Sequence, residues 1–305
     1  MVSGLTSQHA HAPLPDTGGL AVQCAAKINF FLDCGTRRAD GYHALQSVMQ
    51  RIDVYDILHV AVAPGGVCEC RDPLGHCACD PQDNIICRAA RALMARYAPA
   101  AGVVMTLTKR VPVGAGLGGG SANAAAALRA LCQVWQLPAS EAALHSMARA
   151  LGADVPFFLG TPAALCEGIG ETLQPLAART YHVVVWNPGT PLLTKDVYRQ
   201  FDQRARPHGT VTPFLTAYAA GDPVPLAPLI WNNLALAAEE LMPELRGMQT
   251  QLEAAGALRA WISGSGPTII GLCPSAAAAQ RVAKTLRAQI PAHHFIHAGV
   301  TLCEE

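Results

Sequence analysis

Val111-Pro112-Val113-Gly114-Ala115-Gly116-Leu117-Gly118-Gly119-Gly120-Ser121-Ala122-Asn123 places five glycines within the seven residues from Gly114 to Gly120. Glycine lets the backbone turn its N–H groups inward at φ values that other residues avoid. Before this loop, Val103 to Val111 sets Val103, Met105 and Leu107 against Thr106 and Thr108, the alternation of a strand. After it, a helix is expected from about Ser121 to Trp135. A strand, a glycine loop and a helix in that order present backbone N–H groups at a helix N-terminus, a geometry that binds phosphate. The plain alternative is a tight strand-to-helix turn.

Two better-known phosphate loops do not fit. The Walker pattern needs Lys and then Ser or Thr after its last glycine, and here Gly120 is followed by Ser121 and Ala122. A G-x-G-x-x-G pattern is present at Gly114, Gly116 and Gly119. A dinucleotide fold, however, needs a strand after a single helix, with an acidic residue at its end. Here a second helix, near Ser140 to Leu151, follows the first.

Outward from the loop, Val22 to Leu32 reads as a strand ended by Gly35, and Gln46 to Val62 as further strand structure with Asp53 and Asp56 near its turns. Asp83 to Tyr97 reads as an amphipathic helix with Asp83 or Asn84 as N-cap. Beyond Gly152, a short strand at Val183 to Trp186 precedes the turn Asn187-Pro188-Gly189. Gln203 to Pro228, rich in Pro and Gly, reads as loop with short helices, and Leu229 to Ala255 as one helical stretch. Leu258 to Ile262 is a strand, Ala276 to Gln289 a helix and Phe295 to Leu302 a final strand. Strands and helices mix without strict β-α alternation, which favours a two-domain α+β architecture over a doubly wound one.

At 305 residues the chain is long enough for two domains. The division expected is a flexible extension over 1–20, an N-terminal domain over 21–165, and a C-terminal domain over 166–305. A hydrophobic share of 51% against 14% charged argues for a packed chain rather than disorder. Lys plus Arg and Asp plus Glu both number 22, so the basic excess of a general nucleic-acid binder is missing, although a local site for a small anion is not excluded. There is no run of 18 or more apolar residues, and Met1 to Leu20 lacks the pattern of a secretory signal. With eleven cysteines and no export signal, free thiols in a reducing cytoplasm are expected.

Pro112 through Ala125 resembles the nucleotide-binding motif of the kinase superfamily that includes galactokinase, homoserine kinase, mevalonate kinase and phosphomevalonate kinase. The triple glycine followed by Ser121-Ala122-Asn123 is most similar to the branch of 4-diphosphocytidyl-2-C-methyl-D-erythritol kinases, which serve the non-mevalonate route to isoprenoid precursors. Three further blocks resemble that branch. Ala26-Lys27-Ile28-Asn29-Phe30-Phe31-Leu32, with Arg37-Arg38-Ala39-Asp40-Gly41-Tyr42-His43, is similar to its N-terminal motif. Gly152-Ala153-Asp154-Val155-Pro156-Phe157-Phe158 holds the residue that matches its catalytic carboxylate. Ile262-Ser263-Gly264-Ser265-Gly266-Pro267-Thr268 looks like its C-terminal glycine motif. Read alone, Lys27 is a strand lysine of the kind usually solvated, Asp154 is as readily a cap as a catalyst, and the last block is an ordinary turn.

The resemblance implies a two-domain small-molecule kinase that uses ATP and Mg²⁺. Pro112, Val113, Gly114, Ala115, Gly116, Leu117, Gly118, Gly119, Gly120, Ser121 and Ala122 would hold the ATP phosphates. Asp154 would accept the proton of the attacking hydroxyl, and Lys27 would keep that carboxylate ionised. Tyr42 and Tyr198 would stack on the cytosine of a cytidine diphosphate substrate, His43 would supply hydrogen bonds, and Asn29 and Thr194 would lie near the erythritol. Tyr198 could instead be a half-buried helix tyrosine. Ala122 stands where the family commonly has a second serine, so one hydroxyl is missing and no protein ligand to Mg²⁺ is assigned.

Cys68-Glu69-Cys70 and the segment through His76, Cys77 and Cys79 are dense in soft ligands, but the C-x-C pairs lack the usual C-x₂-C spacing of structural zinc sites, and no metal site is assigned. His293, His294 and His297 read as surface residues. The competing readings are a kinase of the same superfamily acting on homoserine, mevalonate or a sugar, a non-catalytic nucleotide sensor, and a metal-binding regulator built on the cysteine segment. A sensor would be expected to have lost Lys27 or Asp154, and both are present.

Overall fold

The computed structural model describes residues 19–73, 75 and 83–304, so the expected extension over 1–20 lies almost wholly outside the described residues. Strands β1 (Leu20–Arg37), β2 (His43–Ala63) and β3 (Cys68–Arg71) lead to helix α1 (Ile85–Tyr97) and β4 (Gly102–Thr108). The glycine loop then enters α2 (Gly119–Val134), followed by α3 (Glu141–Leu151), a 3₁₀ turn at Pro156–Leu159, and the hairpin of β5 (Ala163–Glu167) and β6 (Thr172–Pro175). The chain continues through β7 (His182–Asn187), α4 (Thr194–Phe201), α5 (Val211–Ala220), α6 (Pro223–Leu226) and β8 (Trp231–Asn232). It ends with α7 (Ala235–Leu241), α8 (Glu244–Ala254), β9 (Arg259–Ile262), β10 (Ile269–Cys273), α9 (Ala276–Arg287) and β11 (Phe295–Val300).

The strands form two sheets. The first runs β3-β4-β2-β1-β8, with β5 on β2 and β6 on β5; the second runs β11-β7-β10-β9. The first sheet therefore takes β6 and β8 from beyond residue 165. One face of it is covered by α1, α2 and α3, and its other face packs toward the second sheet. β7 shows how the second sheet serves two cores. Val183 and Val185 face the first sheet while Val184 and Trp186 face the layer of α7, α8 and α9, as the twofold alternation of a strand requires. Each such buried side chain contributes about 1.5–3 kcal/mol. Phe30 locks the interior between the sheets, its ring centroid lying 5.3 Å from Tyr181 and 5.5 Å from Trp261. The buried tyrosines there are satisfied: Tyr181 donates to the Tyr218 carbonyl at 3.0 Å, and the Tyr218 hydroxyl donates to Gln50 at 2.6 Å.

The α+β class follows from this mixture, and several local expectations are corrected. The stretch from Leu229 to Ala255 is not one helix. Trp231 and Asn232 pair in parallel with Phe31 and Leu32, the Asn233 side chain binds both backbone groups of Cys34, and Pro243 separates α7 from α8. Within Gln203 to Pro228 lies α5, a ten-residue helix whose Val211, Phe214 and Tyr218 face the core. Its Pro213 sits in the first turn, where a missing N–H costs little. The β5–β6 hairpin and α4 were not signalled by period or composition. Of the two expected caps of α1, Asp83 and Asn84, it is Asn84 that serves, accepting from the Ile86 N–H at 2.9 Å.

Candidate active site

Alternation along β1 sends Ala26, Ile28 and Phe30 into the core between the sheets and leaves Lys27 and Asn29 on the opposite face. Register shifts in the β1–β2 ladder occur at Ala25/Lys27 and again at Asn29/Phe31, so a bulge lies on each side of the pair. Bulges bend a strand and re-aim its side chains. Lys27 is 5% exposed, which overturns its reading as a solvated strand lysine. Its ammonium donates to Asn29 Oδ1 at 2.7 Å and to the Gly116 carbonyl at 3.1 Å, and lies 3.5 Å from Asp154 Oδ2.

Asp154 sits in the turn between α3 and the 3₁₀ turn. The 3₁₀ turn has Val155 at its N-cap position and no side-chain cap, so the capping reading of Asp154 fails, and its half-exposed carboxylate faces Lys27 instead. Two arginines anchor the segment behind it. Arg51 Nη2 donates to the carbonyls of Phe158 at 2.9 Å and Gly160 at 2.7 Å, and Arg129 Nη2 donates to the Leu159 carbonyl at 2.6 Å.

The glycine loop closes over the other side of Lys27. Gly116 has φ +75°, and a Cβ there would collide with the Ser263 carbonyl oxygen, so only glycine lets the loop approach the third motif block this closely. At Gly118, φ +68°, a Cβ would press against Lys27 Cγ and Cε at 3.0 and 3.1 Å. Gly118 is also the N-cap of α2 and offers no side-chain cap, which leaves the first-turn N–H groups of the helix for a ligand. The loop's entry is held by a carboxylate: buried Asp56 accepts from the backbone N–H groups of Arg110 at 2.7 Å and Val111 at 2.8 Å, and pairs with Lys109.

These elements surround a cleft of about 1260 Å³. Lys27, Asn29, Tyr42, His43, Asp154, Thr194, Tyr198 and every loop residue from Pro112 to Ser121 line it. Ala122 is the exception among the expected residues. Its methyl packs in the core at 3% exposure and its N–H donates to the Gly118 carbonyl, so neither group reaches the cleft. A second wall is formed by Asp83, Asn84, Ile85, Ile86, Leu107 and Lys109. Net neutrality of the chain concealed a local excess of cations, since Arg37, Lys195 and Arg199 also line the cleft.

At the end opposite the loop, His43 Nε2 pairs with Asp202 Oδ1 at 2.7 Å, and the His43 ring lies 5.1 Å from the ring of Tyr198. Tyr198 neighbours the Cys34 thiol. Burial, with the neighbouring Cys34, holds its pKa well above the ordinary tyrosine value, so the phenol stays neutral. Thr194 Oγ1 lies 2.9 Å from Ser265 Oγ, which ties α4 to the third block. Tyr42 stands at the rim, 60% exposed.

Sequence reasoning missed Asp56, Lys109, Asp202, Ser263 and Ser47, whose hydroxyl accepts from Asn29 Nδ2 at 2.7 Å, as supporting residues. Asp56 carried a usable signal, a carboxylate between apolar neighbours on an expected strand. Asp202 carried none, because only folding brings it to His43. The cysteine segment lies partly outside the described residues: Cys68 and Cys70 are on β3, whereas His76, Cys77 and Cys79 are not described.

Comparison with known proteins points to one kinase family. The profile of the GHMP kinases N terminal domain matches residues 84–161, and that of the GHMP kinases C terminal matches residues 215–292. The 4-diphosphocytidyl-2-C-methyl-D-erythritol kinase of Desulfitobacterium hafniense is 38% identical over 266 residues, 86% of this chain and 90% of its own length. That of Saccharopolyspora erythraea is 40% identical over 278 residues, 88% of this chain and 87% of its own. A crystal structure of 4-(cytidine 5'-diphospho)-2C-methyl-D-erythritol kinase matches with a TM-score of 0.78 at 34% identity, covering 93% of this chain and all of that one (100%). Homoserine kinase from Cytophaga hutchinsonii shares the fold, with a TM-score of 0.72 at 18% identity over 97% of this chain and 98% of its own.

Fold, cleft and both matched segments define an ATP-dependent small-molecule kinase of the GHMP class. Within that class, the chain belongs to the 4-diphosphocytidyl-2-C-methyl-D-erythritol kinase family.

Proposed function

We propose that this protein transfers the γ-phosphoryl group of ATP to the 2-hydroxyl of 4-diphosphocytidyl-2-C-methyl-D-erythritol, in the non-mevalonate route to isoprenoid precursors. The observation that carries the reading is the convergence of Lys27 and Asp154, 3.5 Å apart, beside a glycine cradle and in one cleft with Tyr42, His43 and Tyr198. Phosphoryl transfer asks a protein chiefly for positioning and charge stabilisation. The loop from Pro112 to Ser121, with the first-turn N–H groups of α2, holds the ATP phosphates.

Asp154 accepts the proton of the attacking hydroxyl. Lys27, fixed by Asn29 and the Gly116 carbonyl, supplies positive charge beside that carboxylate and beside the transferred group. General-base help of this kind is worth about 10²–10⁴ in rate. Asn29 and Thr194 hold the erythritol, Tyr42 and Tyr198 stack on the cytosine, and His43 presents its remaining ring nitrogen to the base while Asp202 orients the ring.

Mg²⁺ fits the cleft as an ion held mostly by phosphate oxygens, in the manner usual for nucleotide sites. Ser121, Asp154 and the buried Asn123 Oδ1, which has no hydrogen-bond partner among the described residues, are the oxygen donors on that wall. When bound, the ion neutralises charge on the phosphates. Among the described residues no group of three metal ligands offers a dedicated cage.

A reducing cytoplasm is the expected setting, since each of the nine described cysteines is a free thiol. Among the described residues no helix is long and apolar enough to cross a membrane. The test is an acceptor panel with coupled ADP detection. The cytidylyl erythritol is expected to be turned over far faster than homoserine, mevalonate or galactose, and a preference for any of those three would replace the proposed acceptor.

A further inference from the structure

Lys27 and Arg51 stand directly opposite each other in the antiparallel ladder of β1 and β2. Ile52, the next residue of β2, faces the interior between the sheets together with Ala26 and Ile28, so Lys27 and Arg51 share the other face. Two like charges opposed across a ladder ordinarily repel. Here each cation is committed to partners of its own. Lys27 Nζ is held among Asn29, Gly116 and Asp154, whereas the Arg51 guanidinium turns to the chain that follows Asp154.

That guanidinium gathers the end of the 3₁₀ turn. Arg51 Nη2 donates to the carbonyls of Phe157 at 3.5 Å, Phe158 at 2.9 Å and Gly160 at 2.7 Å. Its Cζ lies 5.9 Å from the ring centroid of Phe157 and 6.0 Å from that of Phe158, within reach of a cation–π contact. The backbone repeats the tie, since the Arg51 N–H donates to the Pro162 carbonyl at 2.9 Å. The Phe158 ring in turn reaches Lys27. A Cβ placed on Gly118 would lie 2.9 Å from Phe158 Cζ and 3.0 Å from Lys27 Cγ, so ring, lysine stem and glycine loop meet at one point. Arg129 takes the intervening carbonyl, that of Leu159, but it comes from α2 and also pairs with Glu141 at the surface.

We propose that Arg51 is a positioning residue that sets the separation of Lys27 and Asp154. This role rests on the kinase mechanism proposed above, in which those two side chains meet the attacking hydroxyl. Asp154 lies in a turn and belongs to no strand, so the β1–β2 ladder does not by itself fix its distance from Lys27. Arg51 spans the gap. Its backbone is in register with Lys27, and its side chain holds the turn that starts at Pro156, two residues after Asp154. A guanidinium suits the task because its donors form a rigid planar fork, whereas lysine carries a point charge on a flexible stem.

With the fork removed, the turn is free to shift and Asp154 moves relative to Lys27 Nζ. Misplacement of a reacting group by about 1 Å can cost on the order of 10²-fold in rate. The ATP phosphates are held by the glycine loop, so the loss is expected in kcat rather than in the KM for ATP.

The experiment is a double-mutant cycle on the full-length enzyme with Arg51→Met, Asp154→Asn and the two combined, run with the acceptor that the panel selects. Arg51→Met keeps the apolar stem and is expected to lower kcat roughly 10- to 100-fold, with the KM for ATP near its original value. In the Asp154→Asn background the same substitution is expected to cost little more, because a residue that acts through Asp154 then has nothing left to position. Arg51→Lys keeps the charge without the fork. Its kcat is expected to fall between those of the unaltered enzyme and Arg51→Met, and it carries the same cycle if Arg51→Met does not fold. Losses that multiply in the cycle, a raised KM for ATP with kcat intact, or full kcat in either Arg51 variant overturns the proposal. Normal turnover by Asp154→Asn alone overturns the mechanism and this role together, whereas a different preferred acceptor replaces the proposed substrate and leaves the cycle intact.

Discussion

At the glycine end of the cleft Lys27 is 5% exposed and has three partners from three parts of the chain, whereas at the far end Tyr42 is 60% exposed and Thr194 lies at the surface of α4. The first end is fixed before any ligand arrives. Arg51 and Arg129 anchor the segment behind Asp154, Asp56 anchors the loop, and Gly116 abuts Ser263. The second end is ordered only in its deeper half, where Asp202 holds His43 against Tyr198. The difference is one of tolerance. A reacting oxygen misplaced by about 1 Å can cost on the order of 10²-fold in rate, while a flat base can be gripped by rings that settle as it enters.

The sharpest way to break this comparison is Asp154→Asn. The substitution keeps shape and removes one half-exposed charge, so thermal stability should barely change while kcat falls by about 10²–10⁴. Near-normal turnover in a folded variant would remove Asp154 from the chemistry. Gly116→Ala comes next. A methyl against the Ser263 carbonyl at positive φ should destabilise the protein by roughly 1–3 kcal/mol and raise the KM for ATP, read by thermal unfolding and initial rates.

Tyr198→Ala probes the deeper half of the recognition end. Loss of a stacking ring is worth about 1–3 kcal/mol, so the KM for the cytidylyl substrate should rise roughly 5- to 150-fold with a smaller change for ATP. If ATP binding suffers instead, the cytosine is not seated there. Tyr42→Ala should have the smallest effect, about 1 kcal/mol or less in the same KM, because a rim ring keeps one side in water. An effect as large as that of Tyr198 would mean that the two halves of the recognition end work as one.

Much of the fold could be read locally. The alternation of Val103, Met105 and Leu107 gave β4, Asn84 gave the start of α1 and Gly152 the end of α3, because each depends on neighbours a few residues away. Where a partner far along the chain decides the conformation, local reading failed. Trp231 and Asn232 lie in a segment of helical composition, yet they extend because β1 offers a free edge there. The same holds in the site. Ala122 belongs to the loop by position, but the 3.6-residue period of α2 turns it into the core while Ser121 faces the cleft.

From its order of residues alone, this chain determined a glycine cradle on a helix start, a lysine on one strand and a carboxylate in one turn, since backbone freedom and side-chain period are properties of short segments. Only the tertiary structure brought the lysine and the carboxylate together. That meeting depends on the order of strands in the first sheet, on two bulges that aim Lys27, and on two arginines that fix the turn of Asp154. Such contacts join residues remote in the chain, and no window of sequence contains both partners.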